Sequence, residues 1–435
     1  MIKSYFKTII VMRQAEFPVS LKERENPLPV NLDKIITVPG VRRCGKSSKM
    51  ELAVNRLIDN GVERERILWI SFDDERLYNL KSDDLDQIIS SYRELFPETD
   101  LRNVYMFFDE IQLIEGWEYF VMRLYKHYCK NIYISGSNAS MLSSELKSVL
   151  RGWPIEEETY PLSFKEFCDF KGINSRSWLE QDIAKIKTAF EEYNRFGGYP
   201  EAVLTDNILL KNKILQGYFE AMLLRDLSEH YGISNTAVLR YLIKRVMSNI
   251  SKPTSILKIY NEIKSQGLKI SKDDLYKWVD YTKRIFLFMG VNSYSRSLSK
   301  REGANAKYYC IDNGLRDAIL MPQSDDMGQK LENTVFMHLY RTRTPVDNIY
   351  YYKGKNECDF VIQRGIEIIS LIQVSWDISN PDTRERETAA LLEASQATGC
   401  DNLMIITSDT SSTLTINEKT IKVVPAWQWL LSRHE

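Results

Sequence analysis

The residues Gly40-Val41-Arg42-Arg43-Cys44-Gly45-Lys46-Ser47 fit the spacing G-x-x-x-x-G-K-[ST]. That spacing suits a phosphate. Two glycines let the backbone turn tightly and approach an anion, while successive N–H groups and a helix N-terminus face it. Lys46 brings a point charge toward the β and γ phosphates of a nucleotide, and the Ser47 hydroxyl is offered to Mg2+. The middle residues contribute mainly backbone, so Val41, Arg42, Arg43 and Cys44 do not spoil such a loop, and the two arginines add positive potential. The stretch expected to hold the nucleotide runs from Gly40 through Ser48.

A second group of acids matches the first. In "NVYMFFDEIQ" four apolar residues lead into Asp109 and Glu110. Asp109 is expected to hold Mg2+ through water, and Glu110 to act as the general base that orients an attacking water. The expected metal set is Ser47 and Asp109. After "NIYIS", Ser137 and Asn138 are candidates for a polar sensor of the γ phosphate; capping the following helix is the alternative role for the same pair.

These side chains need particular elements behind them. "DKIITV" is β-branched and apolar, as a buried parallel strand should be. "SSKMELAVNRLIDNG" has helical spacing and ends on Gly61, a helix stop. "RILWISF" is a further strand, intervening in sequence between the loop and Asp109. That order, with a glutamate beside the acid, is the layout of the additional-strand ATPases, and no N-K-x-D motif of the guanine-reading kind is present.

Composition narrows the remaining classes. The 435 residues suffice for two or three domains. The net charge of -1 provides no global field toward nucleic acid or membrane. Six scattered cysteines form no C-x-x-C pair and do not cluster with the four histidines, which argues against a zinc site or a disulfide framework and fits a reducing compartment. No run reaches the ~18 apolar residues of a membrane span, and "TIIVM" is too short for a signal peptide. The expected location is cytoplasmic, away from membranes.

Taken in order, "GVRRCGKSS", "FFDEIQ", "ISGSNASML", "LRGWPIEEETYPLSFKEF", "FGGYPEAVL" and "LLRDLSEHYGI" resemble the bacterial and archaeal AAA-type ATPases (AAA_14) with a C-terminal DUF4143 region, over nearly the whole chain. By that resemblance the first arginine of "GVRR" and the Arg225-Asp226 pair are family features. The chain departs from the pattern at "RGW", where Trp153 stands in place of a frequent second arginine, leaving Arg151.

Beyond the first domain, "FGGYPEAVL" reads as a turn between helices. "NTAVLRYLIKRVMSNIS", "SILKIYNEIKSQG" and "SKDDLYKWVDYTKRI" read as three amphipathic helices, the last capped by Ser271, and "FLFMGVNSY" and "KYYCID" as two strands. Three helices and a hairpin suggest a winged helix. Over residues 282–307, Lys283, Arg284, Arg296, Lys300, Arg301 and Lys307 face one acid, Glu302, a local charge of +5. This basic wing either contacts DNA phosphates or is a solvated loop on a protein-docking module.

The C-terminal third carries Glu332 on a helix, Asp359 on a strand, and Gln373 and Ser375 on the next. The order resembles a PD-(D/E)xK nuclease core, in which acids hold Mg2+ and a lysine activates water. Asp359 matches, Gln373 offers only an amide, and Ser375 stands where lysine should; Lys353 and Lys355 lie on the preceding turn. The expected architecture is α/β: an additional-strand P-loop NTPase domain with a parallel sheet over 1–182, a helical and winged-helix region over 183–318, and a restriction-endonuclease-like domain without cleavage activity over 319–435. The expected function is Mg2+-dependent ATP binding and hydrolysis, used as a conformational switch for the C-terminal half. The alternatives are a DNA-binding regulator with structural ATP and an ATP-controlled nuclease, with a protein partner or self-association left open.

Overall fold

The computed structural model describes residues 2–137, 154–177, 179–297, 299, 301, 304–321 and 326–432, which fall into two compact units. Unit one spans Met1–Tyr160 with Arg284–Phe286, and unit two holds the rest.

Unit one is built on a parallel sheet of β1 (Ile35–Pro39), β2 (Ile67–Ser71), β3 (Tyr105–Asp109), β4 (Asn131–Gly136) and β5 (Pro154–Glu156), in the spatial order β2-β3-β4-β1-β5. The strand between the loop-bearing β1 and the acid-bearing β3 is thus β4. β2, which intervenes in sequence, lies at the sheet edge. Strand residues alternate between two cores. Ile35, Leu68, Ile70, Met106, Phe108, Ile132 and Ile134 pack with the helices Ile2–Glu16, Asp86–Leu95 and Trp117–His127. Ile36, Val38, Trp69, Phe107 and Tyr133 face the helix Lys46–Asp59. Every residue of β1, β3 and β4 is buried, because both faces of a parallel sheet are covered. On the second face the register pairs Trp69 with Phe107 and Phe107 with Tyr133, and their rings stack at 5.4 and 4.5 Å between centroids.

Unit two begins with helices. Glu180–Phe196 and Pro200–Leu204 are joined at Gly197-Gly198, where Gly197 takes φ 75° and the Gly198 N–H donates to Asp312 Oδ2 at 2.7 Å. A Cβ on Gly198 would meet the Leu162 carbonyl oxygen at 2.4 Å, so the connection is tightly enclosed. Arg225 and Asp226 lie in a π-helical stretch, Met222–Glu229. Helices Thr236–Ser248, Ile256–Ser265 and Lys272–Arg284 follow, and the Asp274 N–H donates to Ser271 Oγ as an N-cap at 3.0 Å. Then β6 (Phe288–Val291) pairs antiparallel with β7 (Lys307–Cys310). The final part is a mixed, mostly antiparallel six-stranded sheet of β8 (Asp347–Lys353), β9 (Glu357–Arg364), β10 (Glu367–Val374), β11 (Leu403–Thr407), β12 (Ser412–Ile416) and β13 (Lys419–Pro425). Its spatial order is β12-β13-β11-β10-β9-β8. The helix Pro381–Thr398 covers it through Leu391 and Ala394.

Candidate functional site

The loop after β1 is shaped by two residues in the left-handed region, Arg43 at φ 66° and Gly45 at φ 98°. Gly45 is the cap residue from which the helix starts at Lys46. Such a turn directs consecutive N–H groups into a concavity suited to an anion, and the strain of a non-glycine residue at positive φ falls on the loop itself. Gly40 has another reason to be glycine. A Cβ there would meet the Thr159 carbonyl oxygen at 2.1 Å, because Thr159 N–H donates to Pro39 O at 2.8 Å and prolongs the β1–β5 pairing past the loop. The same carbonyl accepts from Cys44 Sγ at 3.2 Å, and burial pushes that thiol up, so Cys44 is a structural wedge rather than a nucleophile. Arg24 also braces the loop, donating to Cys44 O at 3.0 Å and to Tyr160 O at 2.9 Å.

Lys46 is buried, donates to Val41 O at 3.3 Å, and lies 3.6 Å from Glu110 Oε1. Burial disfavours its charge, yet Glu110, Cys44 and Asp109 together hold the ammonium above its usual range. Burial alone would push Glu110 up, but Lys46 and a hydrogen bond from Gln112 bring its carboxyl below the ordinary value. Asp109 is pushed upward by burial and by the charge of Glu110, against hydrogen bonds from Ser135 and Ser47. Two carboxylates in one buried pocket are thus set apart, the outer one ionised beside a lysine and the inner one held by hydroxyls.

Ser47 and Asp109, the pair expected to share Mg2+, are in hydrogen-bond contact. An oxygen set of one hydroxyl and one carboxylate suits a hard cation that keeps most of its waters, so the residues fit the ion. Ser135 Oγ donates to Asp109 Oδ1 and accepts the Glu110 N–H at 3.0 Å. Glu110 takes φ 53° and is turned toward Lys46 by that conformation. Reading the sequence passed over Ser135. Its signal was a hydroxyl at the end of a strand, visible only once β4 is known to lie beside β3. Ser137 is buried just past β4, and Asn138 lies outside the described residues, as do Arg151 and Trp153.

In unit two the basic wing needs correction. Lys307 is fully buried, not surface-facing. Its Nζ lies 3.1 Å from Glu332 Oε1, 2.9 Å from Glu357 Oε1 and 3.0 Å from Asp359 Oδ1. Arg301 donates to Tyr350 Oη at 3.1 Å and to Ser295 O at 2.9 Å. Lys300 lies outside the described residues. Gln373, considered as a weak ligand, accepts the Asp359 N–H at 3.1 Å and donates to Glu387 Oε2 at 2.6 Å. Ser375 donates to Asp377 O at 3.1 Å. Among the described residues no group of three acid, histidine or cysteine side chains is arranged to hold a metal.

The β2-β3-β4-β1-β5 sheet and the loop at the end of its β1 define a P-loop NTPase-like domain, and a family model described as an AAA domain matches residues 32–168. Residues 187–326 match a domain of unknown function, DUF8612. The chain is 32% identical over 409 residues to the uncharacterized protein MJ1544 of Methanocaldococcus jannaschii, covering 92% of this chain and 89% of that protein. It is 33% identical over 350 residues to an uncharacterized protein of Haemophilus influenzae, covering 80% and 83%. The chain belongs to the family of these proteins, with an AAA-type ATPase domain at its front. Among solved structures it is similar to Aeropyrum pernix ORC1 in complex with DNA, with a TM-score of 0.29 and 11% identity over 73% of this chain and 91% of that one. It is also similar to AMPPCP-bound DnaA from Aquifex aeolicus, with a TM-score of 0.28 and 15% identity over 63% and 86%. Likeness of that degree says nothing about what this chain binds. No helix among the described residues is long and apolar enough to cross a membrane.

Proposed function

We propose that the chain is a Mg2+-dependent ATPase whose nucleotide site is formed by Gly40–Ser48, Asp109 and Glu110, and whose hydrolysis cycle switches the state of its C-terminal half. The observation that carries this reading is the convergence of Lys46, Ser47, Asp109, Glu110 and Ser135 at the ends of three adjacent strands. Mg2+, when bound, neutralises phosphate charge and orients the transferring group. Lys46 is buried and charged, so it meets an incoming triphosphate without rearranging solvent. Glu110 is ionised and able to accept a proton from water. Its contact with Lys46 gives the lysine a counter-charge. Ser135 holds Asp109 and the Glu110 backbone, so the two acids move as one.

The direct test is phosphate release by purified protein with ATP and Mg2+. Glu110→Gln is expected to bind ATP normally and release no phosphate above background. Wild-type protein that binds ATP but releases no phosphate would make ATP structural and favour the regulator. Within this proposal, Ser137 and Asn138 remain sensor candidates, tested by substitutions that lower turnover without lowering affinity.

The middle region, read further as a winged helix, has support from three helices followed by an antiparallel ribbon. Its DNA reading rests on the remaining wing cations Lys283, Arg284, Arg296, Lys300 and Arg301 and no longer on Lys307.

A further inference from the structure

A lysine buried among three carboxylates in unit two raises a question separate from the ATP site. We propose that Lys307 is a built-in cation, with its ammonium group occupying the centre of Glu332, Glu357 and Asp359 and keeping divalent metal out of the C-terminal domain.

The donor count carries the argument. An ammonium has three N–H groups and no acceptor. Here Nζ donates to Glu332 Oε1 at 3.1 Å and to Asp359 Oδ1 at 3.0 Å, and Glu357 Oε1 completes the shell as an ion pair at 2.9 Å. With three carboxylates as its nearest charged neighbours, the ammonium is committed to the acid cluster rather than to a water or a phosphate. Lys307 has 0% exposure, so the cluster is sealed from its side.

The elements make the arrangement specific. Lys307 and Tyr309 are two residues apart on β7 and therefore project from the same face. Tyr309 Oη donates to Glu332 Oε1 at 2.8 Å, beside the lysine contact to the same oxygen. β7 is itself fixed by pairing with β6, Lys307 lying opposite Val291, and by a bridge from Pro253 to Lys307. The acids come from the helix Met327–Thr342 and from β9. Asp359 is further oriented by the Val374 N–H on its Oδ2 at 2.9 Å. Gln373 Oε1 is already engaged by the Asp359 N–H, and its Nε2 is held by Glu387. One strand thus threads a positive charge into an acid cluster supplied by two other elements and neutralises part of it. Carboxylates packed this closely are offset by such a cation, whether metal or side chain.

The test compares nucleotide-free full-length protein with its variants by Mn2+ titration, read by electron paramagnetic resonance, and by thermal shift in Mn2+ against EDTA. Wild type and Asp359→Asn are expected to bind the same number of Mn2+ ions. Lys307→Met is expected to gain one Mn2+ per chain and a Tm that rises in Mn2+. Lys307→Met with Asp359→Asn is expected to lose both gains. If Lys307→Met does not fold in EDTA, Mn2+ is expected to rescue its refolding. A Mn2+ ion in wild type that Asp359→Asn removes would overturn the proposal, and so would a Lys307→Met protein that neither gains Mn2+ nor is rescued by it. These readouts are independent of ATP hydrolysis.

Discussion

Lys46 offers the sharpest test at the scale of single residues. It is the buried charge aimed into the phosphate loop, and Lys46→Ala removes a charge-assisted contact with nothing to replace it. A loss of ~2–4 kcal/mol in ATP affinity is expected by calorimetry. Unchanged affinity would mean that the loop does not hold the triphosphate. Asp312 allows a second test. Burial raises its carboxyl from 3.8 to about 6, against the opposing N–H donors of Gly198 and Leu315. The folded chain therefore keeps a proton that the unfolded chain releases across that interval. The contribution is fully present below the unfolded value of 3.8 and is lost as pH rises through about 6. Asp312→Asn is expected to remove that falling slope, seen as the difference in urea midpoint between variant and wild type from about pH 4 to pH 7.

Among the elements, the central sheet is the part on which the site depends. Phe107 sits in β3 one pair of residues before Asp109, stacked between Trp69 and Tyr133 and fully buried. Phe107→Ala leaves a cavity between two rings and is expected to cost ~3–5 kcal/mol of stability in denaturant unfolding. Nucleotide affinity should fall less than stability, because the loop is braced separately by Arg24, Cys44 and Thr159. Gly40→Ala is the converse case. It forces the Thr159 carbonyl away from the loop, so ATP affinity is expected to drop even where unfolding by denaturant still shows a cooperative transition.

For the whole molecule, the basic wing sets the test of DNA binding. With Lys307 committed inward and Arg301 tied to Tyr350, fewer cations are available for phosphates than the +5 of the segment suggested. Duplex binding, measured by fluorescence anisotropy, is expected to be weak, with a slope of log K against log salt no steeper than about -3. Neutralising Arg296, Lys300 and Arg301 together should flatten it. Absence of duplex binding at low salt would assign the ribbon to protein contact. Purified protein with Mg2+ or Mn2+ is expected not to nick plasmid, with or without ATP. Cleavage abolished by Asp359→Ala would restore the nuclease reading.

The phosphate loop, the acids at the end of β3 and the strand–helix alternation around them were legible in the sequence because each is set by local chemistry. Glycines at tight turns, apolar β-branched strands and acids at strand ends keep their meaning within a few residues. The three helices and the ribbon after them were legible for the same reason, through period and capping. Other features depended on which strands become neighbours. Ser135 gained its role only when β4 inserted between β1 and β3, and Gly40 owes its lack of a side chain to Thr159, far along the chain. Lys307 showed the limit most plainly. Read along the chain it belonged to a run of surface cations, while in the fold it is the charge that three distant carboxylates enclose. A side chain's charge is set by its type, but its electrostatic partner is set by burial and proximity, and those are decided only when the chain has packed.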